Sequence, residues 1–184
     1  MATTNLLIHA TGMFALALNV IALARTCERS LRVQSGVAGI AWALNNLLLG
    51  AYTAAALSLV SAGRTATSAA TLQCGARLRQ AVFLAFTALT LAIAAATWQG
   101  WSSVLLTIAS VLSTYATFYL RGRAHRWSML VVSALWMHNA WCNDSWEQML
   151  ANAATAVAAL YGAWSLTAVQ NSRPTARLAL DLRQ

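Results

Sequence analysis

The segment Leu135-Trp136-Met137-His138-Asn139-Ala140-Trp141-Cys142-Asn143-Asp144-Ser145-Trp146 sets a histidine, a thiol, amides, a carboxylate and indoles between apolar flanks. His138 and Cys142 are spaced i, i+4, so on a helix they share a face and, with Met137 or Met149, offer part of a soft metal site. Two ligands from one helix fall short of the roughly four that a closed site takes. Cys27 and Cys74 belong to connections at the opposite end of the helices. A structural or cavity-lining His138 is therefore the stronger reading. Asp144 and Glu147 beside His138 suggest a hydrolytic cluster, but no Ser or Cys nucleophile motif accompanies them. As acidic residues of a short loop they are expected to stay solvated. No catalytic residue, metal or cofactor is expected.

Two further features carry chemistry. Trp42-x-x-Asn45 recurs as Trp136-x-x-Asn139, 94 positions later. In each motif the indole and the amide lie about one turn apart on one helical face, an arrangement for stacking on a polar solute and hydrogen-bonding it. Asn45, Asn46 and Asn139 equally suit interhelical hydrogen bonds in a membrane bundle. Arg64 stands in an otherwise uncharged stretch, roughly 10 Å of helix from its basic end. It can snorkel, bind an anionic substrate group or close an inner gate. The candidate substrate-binding set is Asn45, Asn139, Trp42, Trp136, His138 and Arg64.

The elements that position these residues follow from composition. The chain has 184 residues, 59% hydrophobic and 9% charged, against about 25% charged in soluble domains. Apolar runs of bilayer length, roughly 17–25 residues, recur along it, and strand alternation is absent. The expectation is an all-α polytopic membrane protein of about seven transmembrane helices, near 5–24, 33–50, 54–71, 80–97, 102–120, 127–142 and 146–170. The N-terminal stretch lacks a basic region ahead of its apolar run and reads as a retained helix. The odd number of cysteines implies no disulfide framework.

The net charge of +8 is carried by arginines with no lysine. They cluster around Arg25–Arg32, Arg77–Arg79, Arg121–Arg126 and the tail, so under seven spans they fall on one side. That places the N-terminus outside and the C-terminus in the cytoplasm, and argues against nucleic acid as the partner. Tyr52, Trp98, Trp101, Trp141 and Trp146 then sit at the outer interface.

Spans 1–3 (about 5–71) and 5–7 (about 102–170) read as two parallel three-helix repeats. A linker helix (about 80–97) joins them, in one membrane domain over 1–184 with a cytoplasmic tail at 171–184. A binding site is expected at the repeat interface. Small-residue runs such as Ala54-Ala55-Ala56 permit close helix approach. The apolar fourth span fits the outside of the bundle or a homo-oligomer interface.

On Leu48-Leu49-Gly50-Ala51-Tyr52, Arg64 and Trp136-Met137-His138-Asn139-Ala140-Trp141, the chain resembles the YgjV-type bacterial inner-membrane proteins. These are grouped with SWEET and PQ-loop transporters, PnuC-type vitamin transporters and KDEL receptors. The resemblance implies a three-plus-one-plus-three transporter-like fold in the inner membrane. It departs from the wider group in its single proline, Pro174 in the tail, which leaves hinge motion to glycines such as Gly12, Gly36, Gly39 and Gly63. The reading is a SWEET-like transporter or binder of a small polar solute among membrane lipids. A non-transporting receptor or complex subunit is the alternative, and a membrane-embedded metal-binding protein or enzyme has least support.

Overall fold

The computed structural model describes residues 2–23, 28–71 and 74–181, with side chains described for 5–21, 34–68, 70–71 and 74–164. Seven helices and no strand occur among them: α1 Ala2–Leu23, α2 Glu28–Leu48, α3 Tyr52–Thr71, α4 Ala76–Ala96, α5 Trp101–Tyr119, α6 Gly122–Cys142 and α7 Trp146–Asp181. Arg25 and Cys27 lie outside the described residues.

The basic clusters are less loop-like than expected. Arg77 and Arg79 belong to the first turn of α4, and Arg123 and Arg126 to the start of α6. Arginine is a good helix former, so helices extend through it to the edge of the apolar region. α7 likewise continues past the expected end near 170.

Helix contacts run α1–α2–α3–α5–α6–α7 and return to α1, closing a ring of six, while α4 packs mainly on α3 and α5. The molecule is polar inside and apolar outside. Asn45, Asn46, Thr90, Ser103, Thr114 and Glu147 are fully buried, whereas Leu6, Phe14, Leu84, Val157 and Trp164 are exposed. That inversion is unfavourable in water and favourable in hydrocarbon, where interior polar groups find partners only in the protein. α4 and α5 are long and apolar enough to cross a membrane by length and composition, and α1 holds a shorter apolar run, Asn5–Ile21. The polar groups that face the ring interior lower the hydropathy of α2, α3, α6 and α7.

One end of the bundle carries the short turns after α2 and α6, which are built alike. Gly50 (φ 75°) and Asp144 (φ 51°) take the left-handed conformation. Gly50 N–H donates to the Leu47 carbonyl and Ala51 N–H to the Asn46 carbonyl. Asp144 N–H donates to the Trp141 carbonyl and Ser145 N–H to the Ala140 carbonyl. Both are Schellman caps, which use otherwise unpaired carbonyls at a helix C-terminus. At this turn end Ala51, Ala54, Leu57 and Leu106 form a tight apolar plug, with Ile93 and Trp136 packed on it. Tyr52, Trp98, Trp101, Trp141 and Trp146 are all exposed around the same end.

α2 and α3 meet closely because Gly39 faces Ala62, where an added Cβ would lie 3.1 Å from the Ala62 Cβ. A substitution at the two caps gives opposite effects. Gly50→Ala is expected to destabilise by about 1 kcal/mol, the cost of placing a Cβ in the left-handed region. Asp144→Gly is expected to be neutral or stabilising. Thermal unfolding of the purified protein in detergent reads both, and an equal loss from the two variants would contradict the matched-cap account.

Candidate functional site

Six helices of the ring surround a cavity of about 400 Å³, within the range of roughly 300–1,000 Å³ typical of small-molecule pockets. It lies between the plug and the end that bears the arginines of α4 and α6. Its walls come from residues 35–42 of α2, 58–68 of α3, 110–117 of α5, 125–136 of α6 and 148–155 of α7, with Asn19 of α1. No described α4 residue lines it.

Arg64 is the electrostatic centre of the wall. It is only 4% exposed. Nη1 donates to the Ser110 carbonyl (3.1 Å) and Thr114 Oγ1 (2.9 Å), and Nη2 donates to Ser61 Oγ (2.9 Å) and Ser113 Oγ (2.8 Å). Nε has no hydrogen-bond partner among the described residues. The second halves of α3 and α5 thus supply a cradle of neutral acceptors. The geometry is that of an engaged guanidinium, and the snorkelling expected as one option is not the conformation seen. Snorkelling would release these hydrogen bonds in the membrane interior, where an unpaired polar group is costly.

The other candidate residues divide. Trp42 and Trp136 line the cavity with Arg64. Asn45 and Asn139, expected to face a shared space, do not line it. The Asn45 amide nitrogen donates instead to the Ile8 carbonyl (2.8 Å) and Thr11 Oγ1 (3.1 Å), tying α2 to α1. Asn139 Oδ1 accepts from Asn143 Nδ2 (3.3 Å) at the end of its own helix. Their helical positions lie one turn nearer the turn end than Trp42 and Trp136, inside the packed region. His138 is exposed on the outer side of α6, with Nε2 3.7 Å from Cys142 Sγ. It borders a shallow apolar groove with Met137, Trp141 and Met149 instead of the central cavity. Among the described residues no cluster of three or more His, Cys, Asp or Glu side chains has metal-binding geometry.

Other polar lining residues escaped the sequence reading, yet the 94-residue offset marks many of them. Asn19 and Ser113, Ser35 and Met129, Ala38 and Val132, Gly39 and Ser133, Trp42 and Trp136, Ser58 and Asn152, and Ser61 and Thr155 all line the cavity, each pair 94 positions apart. Asn19 and Ser113, Ser58 and Asn152, and Ser61 and Thr155 are polar at both positions, so extending the offset from the two Trp-x-x-Asn motifs to polar residues would have included these three pairs.

Glu147 corrects the expectation of a solvated acidic loop. Asp144 is exposed, but the Glu147 side chain is 1% exposed and its Oε1 lies 2.7 Å from Nδ1 of His9, itself 53% exposed. Gly12 makes room for it, since a Cβ there would come within 3.1 Å of the Glu147 carboxyl carbon. This contact joins α1 to α7. Its counterpart between α3 and α5 is the buried Thr53–Ser103 hydroxyl pair at 3.1 Å, again displaced by 94 at both residues. Thr53 N–H also donates to Gln99 Oε1, and Gln99 Nε2 donates to the Gly50 carbonyl, which fastens the α4–α5 turn to the same end.

The chain belongs to the YgjV-type family of bacterial inner membrane proteins, whose pattern matches it over residues 6–170. No curated protein and no solved structure matches it.

The His9–Glu147 contact yields an asymmetric expectation. His9→Ala leaves the buried carboxylate without its partner and is expected to cost about 1–3 kcal/mol. In a His9→Ala background, Glu147→Gln removes the charge and is expected to recover part of that loss. A double-mutant cycle read by thermal unfolding checks it, and strictly additive effects would mean the two side chains do not interact.

Proposed function

In this inner membrane protein, we propose that the central cavity binds a small polar solute and that the helix bundle passes it across the membrane. The observation that carries the reading is a polar-lined, ligand-sized cavity buried in a bundle whose outer surface is apolar. Hydroxyls and amides supply exchangeable hydrogen bonds there, and Trp42 and Trp136 supply flat apolar surface, the usual division of labour in a small-molecule site.

We assign seven membrane spans with the N-terminus outside and the C-terminus in the cytoplasm, so the cavity lies towards the cytoplasmic side and the plug towards the outside. The arginines of α4 and α6 at the cavity end support that orientation. We further read α1–α3 and α5–α7 as parallel repeats with α4 as linker. Three features support this: the paired lining residues, the matched caps at Gly50 and Asp144, and the matched contacts His9–Glu147 and Thr53–Ser103. The ring of helix contacts also maps onto itself when α1, α2 and α3 are exchanged with α5, α6 and α7. Repeats related about the membrane normal place a shared site between them and let one half move against the other.

A binding protein that does not transport is the second reading. It is favoured by the sequence having one proline, Pro174, and so none in α1–α6, where proline hinges would ease bending.

Two measurements test the proposal. Reporter fusions after Gln99 and at Gln184 are expected on opposite sides of the membrane; the same side for both removes the seven-span assignment. Trp42→Ala and Asn152→Ala are each expected to weaken solute binding about tenfold, for a loss of roughly 1.4 kcal/mol, without loss of monodispersity. A thermal-shift screen with sugars, nucleosides, vitamins and amino acids supplies the ligand. Uptake into proteoliposomes then separates transport from binding alone. A protein that no solute stabilises, with both variants like wild type in cells, leaves the subunit or receptor reading.

A further inference from the structure

We infer that the cavity selects an anion: a small organic carboxylate or phosphate whose acidic group meets Arg64 and whose flat or ring-shaped body packs against Trp42 and Trp136. The inference rests on the proposed solute-binding role of this cavity and names the class of solute.

The first ground is charge balance. Arginine remains protonated in proteins and carries five N–H donors and no acceptor. Around Arg64 all the acceptors are neutral: three hydroxyls and the Ser110 carbonyl. The buried Glu147 carboxyl meets His9 at the opposite end of the bundle. Among the described residues the cavity wall contains no Asp or Glu. Of the chain's acidic residues, Asp144 is exposed at the turn end, and Glu28 and Asp181 lie outside the described side chains. A buried charge is ordinarily paired, so the cavity as built has a place for one negative charge.

The second ground is the unpartnered donor. Arg64 is 4% exposed and its Nε lacks a partner among the described residues. Four of its hydrogen bonds fix the plane of the guanidinium, because Ser61 on α3 and Ser110, Ser113 and Thr114 on α5 hold both terminal nitrogens. A guanidinium fixed in this way loses little rotamer freedom when a planar carboxylate or a phosphate arrives. The hydroxyls can also turn, each offering its proton to an anion oxygen in place of accepting from Arg64.

The third ground is access. The cavity reaches towards the end where Arg121 and Arg123 are exposed and His125 forms part of the wall. Asp144 and Glu147 lie at the other end, and Glu28, which begins α2 at this end, is outnumbered there by Arg77, Arg79, Arg121, Arg123 and Arg126. Charge of one sign around a mouth in a low-dielectric setting concentrates ions of the other sign there. The two indoles then decide what else the anion carries. Trp42 and Trp136 border the same space, and apolar or aromatic rings bury well against indole faces. A bare inorganic ion would leave those faces unused.

An anionic group of this kind can come from a soluble solute or from the headgroup of an anionic lipid. The experiment compares benzoate with its neutral isostere benzamide, adds inorganic phosphate, and uses full-length protein in detergent and in nanodiscs of phosphatidylcholine with or without phosphatidylglycerol. Benzoate is expected to stabilise the wild-type protein and to bind about tenfold or more tighter than benzamide, the scale of a charge-assisted hydrogen bond. Arg64→Lys should keep part of that preference and Arg64→Gln should lose it. If Arg64→Gln fails to fold, the wild-type benzoate–benzamide comparison with Arg64→Lys still decides.

A phosphatidylglycerol effect that depends on Arg64, without a benzoate or phosphate effect, supports the anion site and assigns it to a headgroup. Equal binding of benzoate and benzamide overturns the anion inference and leaves the solute-binding role standing. Absence of any effect from benzoate, benzamide, phosphate and phosphatidylglycerol, together with a negative screen of neutral solutes, overturns both.

Discussion

A guanidinium in the middle of an apolar bundle dictates much of what surrounds it. Arg64 keeps its charge, so its buried donors call for acceptors inside the protein, which both terminal nitrogens find and Nε does not among the described residues. The helices respond by turning Ser61, Ser110, Ser113 and Thr114 towards one point. Ser110 also lies 3.5 Å from Thr90 Oγ1 of α4, so the helix outside the ring touches the same network. Small hydroxyl side chains fill little space, and where several converge they leave a cavity. Arg64, its cradle and the void beside it therefore arise from one constraint.

The rest of the bundle separates a dry end from a wet one. At the turn end, small residues let helices approach closely, and Ala51, Ala54, Leu57 and Leu106 close the core. Polar side chains there bridge helices: Thr53 meets Ser103, Glu147 meets His9, and the Asn45 amide nitrogen meets α1. Towards the basic end the lining side chains are polar but less crowded. Trp136 belongs to both regions, packing on the plug and lining the cavity. It therefore couples the packing of the closed end to the shape of the site.

The symmetric features and the asymmetric ones serve different purposes. The positions paired by 94 residues build the frame: caps, helix contacts and most of the cavity wall. Arg64 breaks the pattern, since the equivalent position is Ala158. Ser68 and Gly162 differ in the same way, and Gly162 has its own use, because a side chain there would overlap the Arg126 guanidinium. Unlike contents at these paired positions give a site with a polar, charged side on α3 and α5 and a neutral one on α6 and α7. Such a site can orient a ligand that has one charged end.

Much of this was legible in the sequence. Composition and run length pointed to helices of membrane length, and six of the seven fall within about five residues of their expected places, while α7 runs on to Asp181. The offset between Trp42-x-x-Asn45 and Trp136-x-x-Asn139 pointed to two residues that line the cavity, and isolation in an apolar stretch pointed to Arg64. The sequence alone determined which residues are polar and which helix each occupies, because bilayer length and turn chemistry are local properties. Only the tertiary structure decided which way those residues face. Asn45 and Trp42 are one turn apart, yet one is consumed by α1 and the other opens on the cavity, since the rotation of a helix is fixed by its neighbours. Glu147 reads as a loop carboxylate until α1 brings His9 and Gly12 against it. Spacing along the chain sets the face a residue shares; packing between helices sets what that face meets.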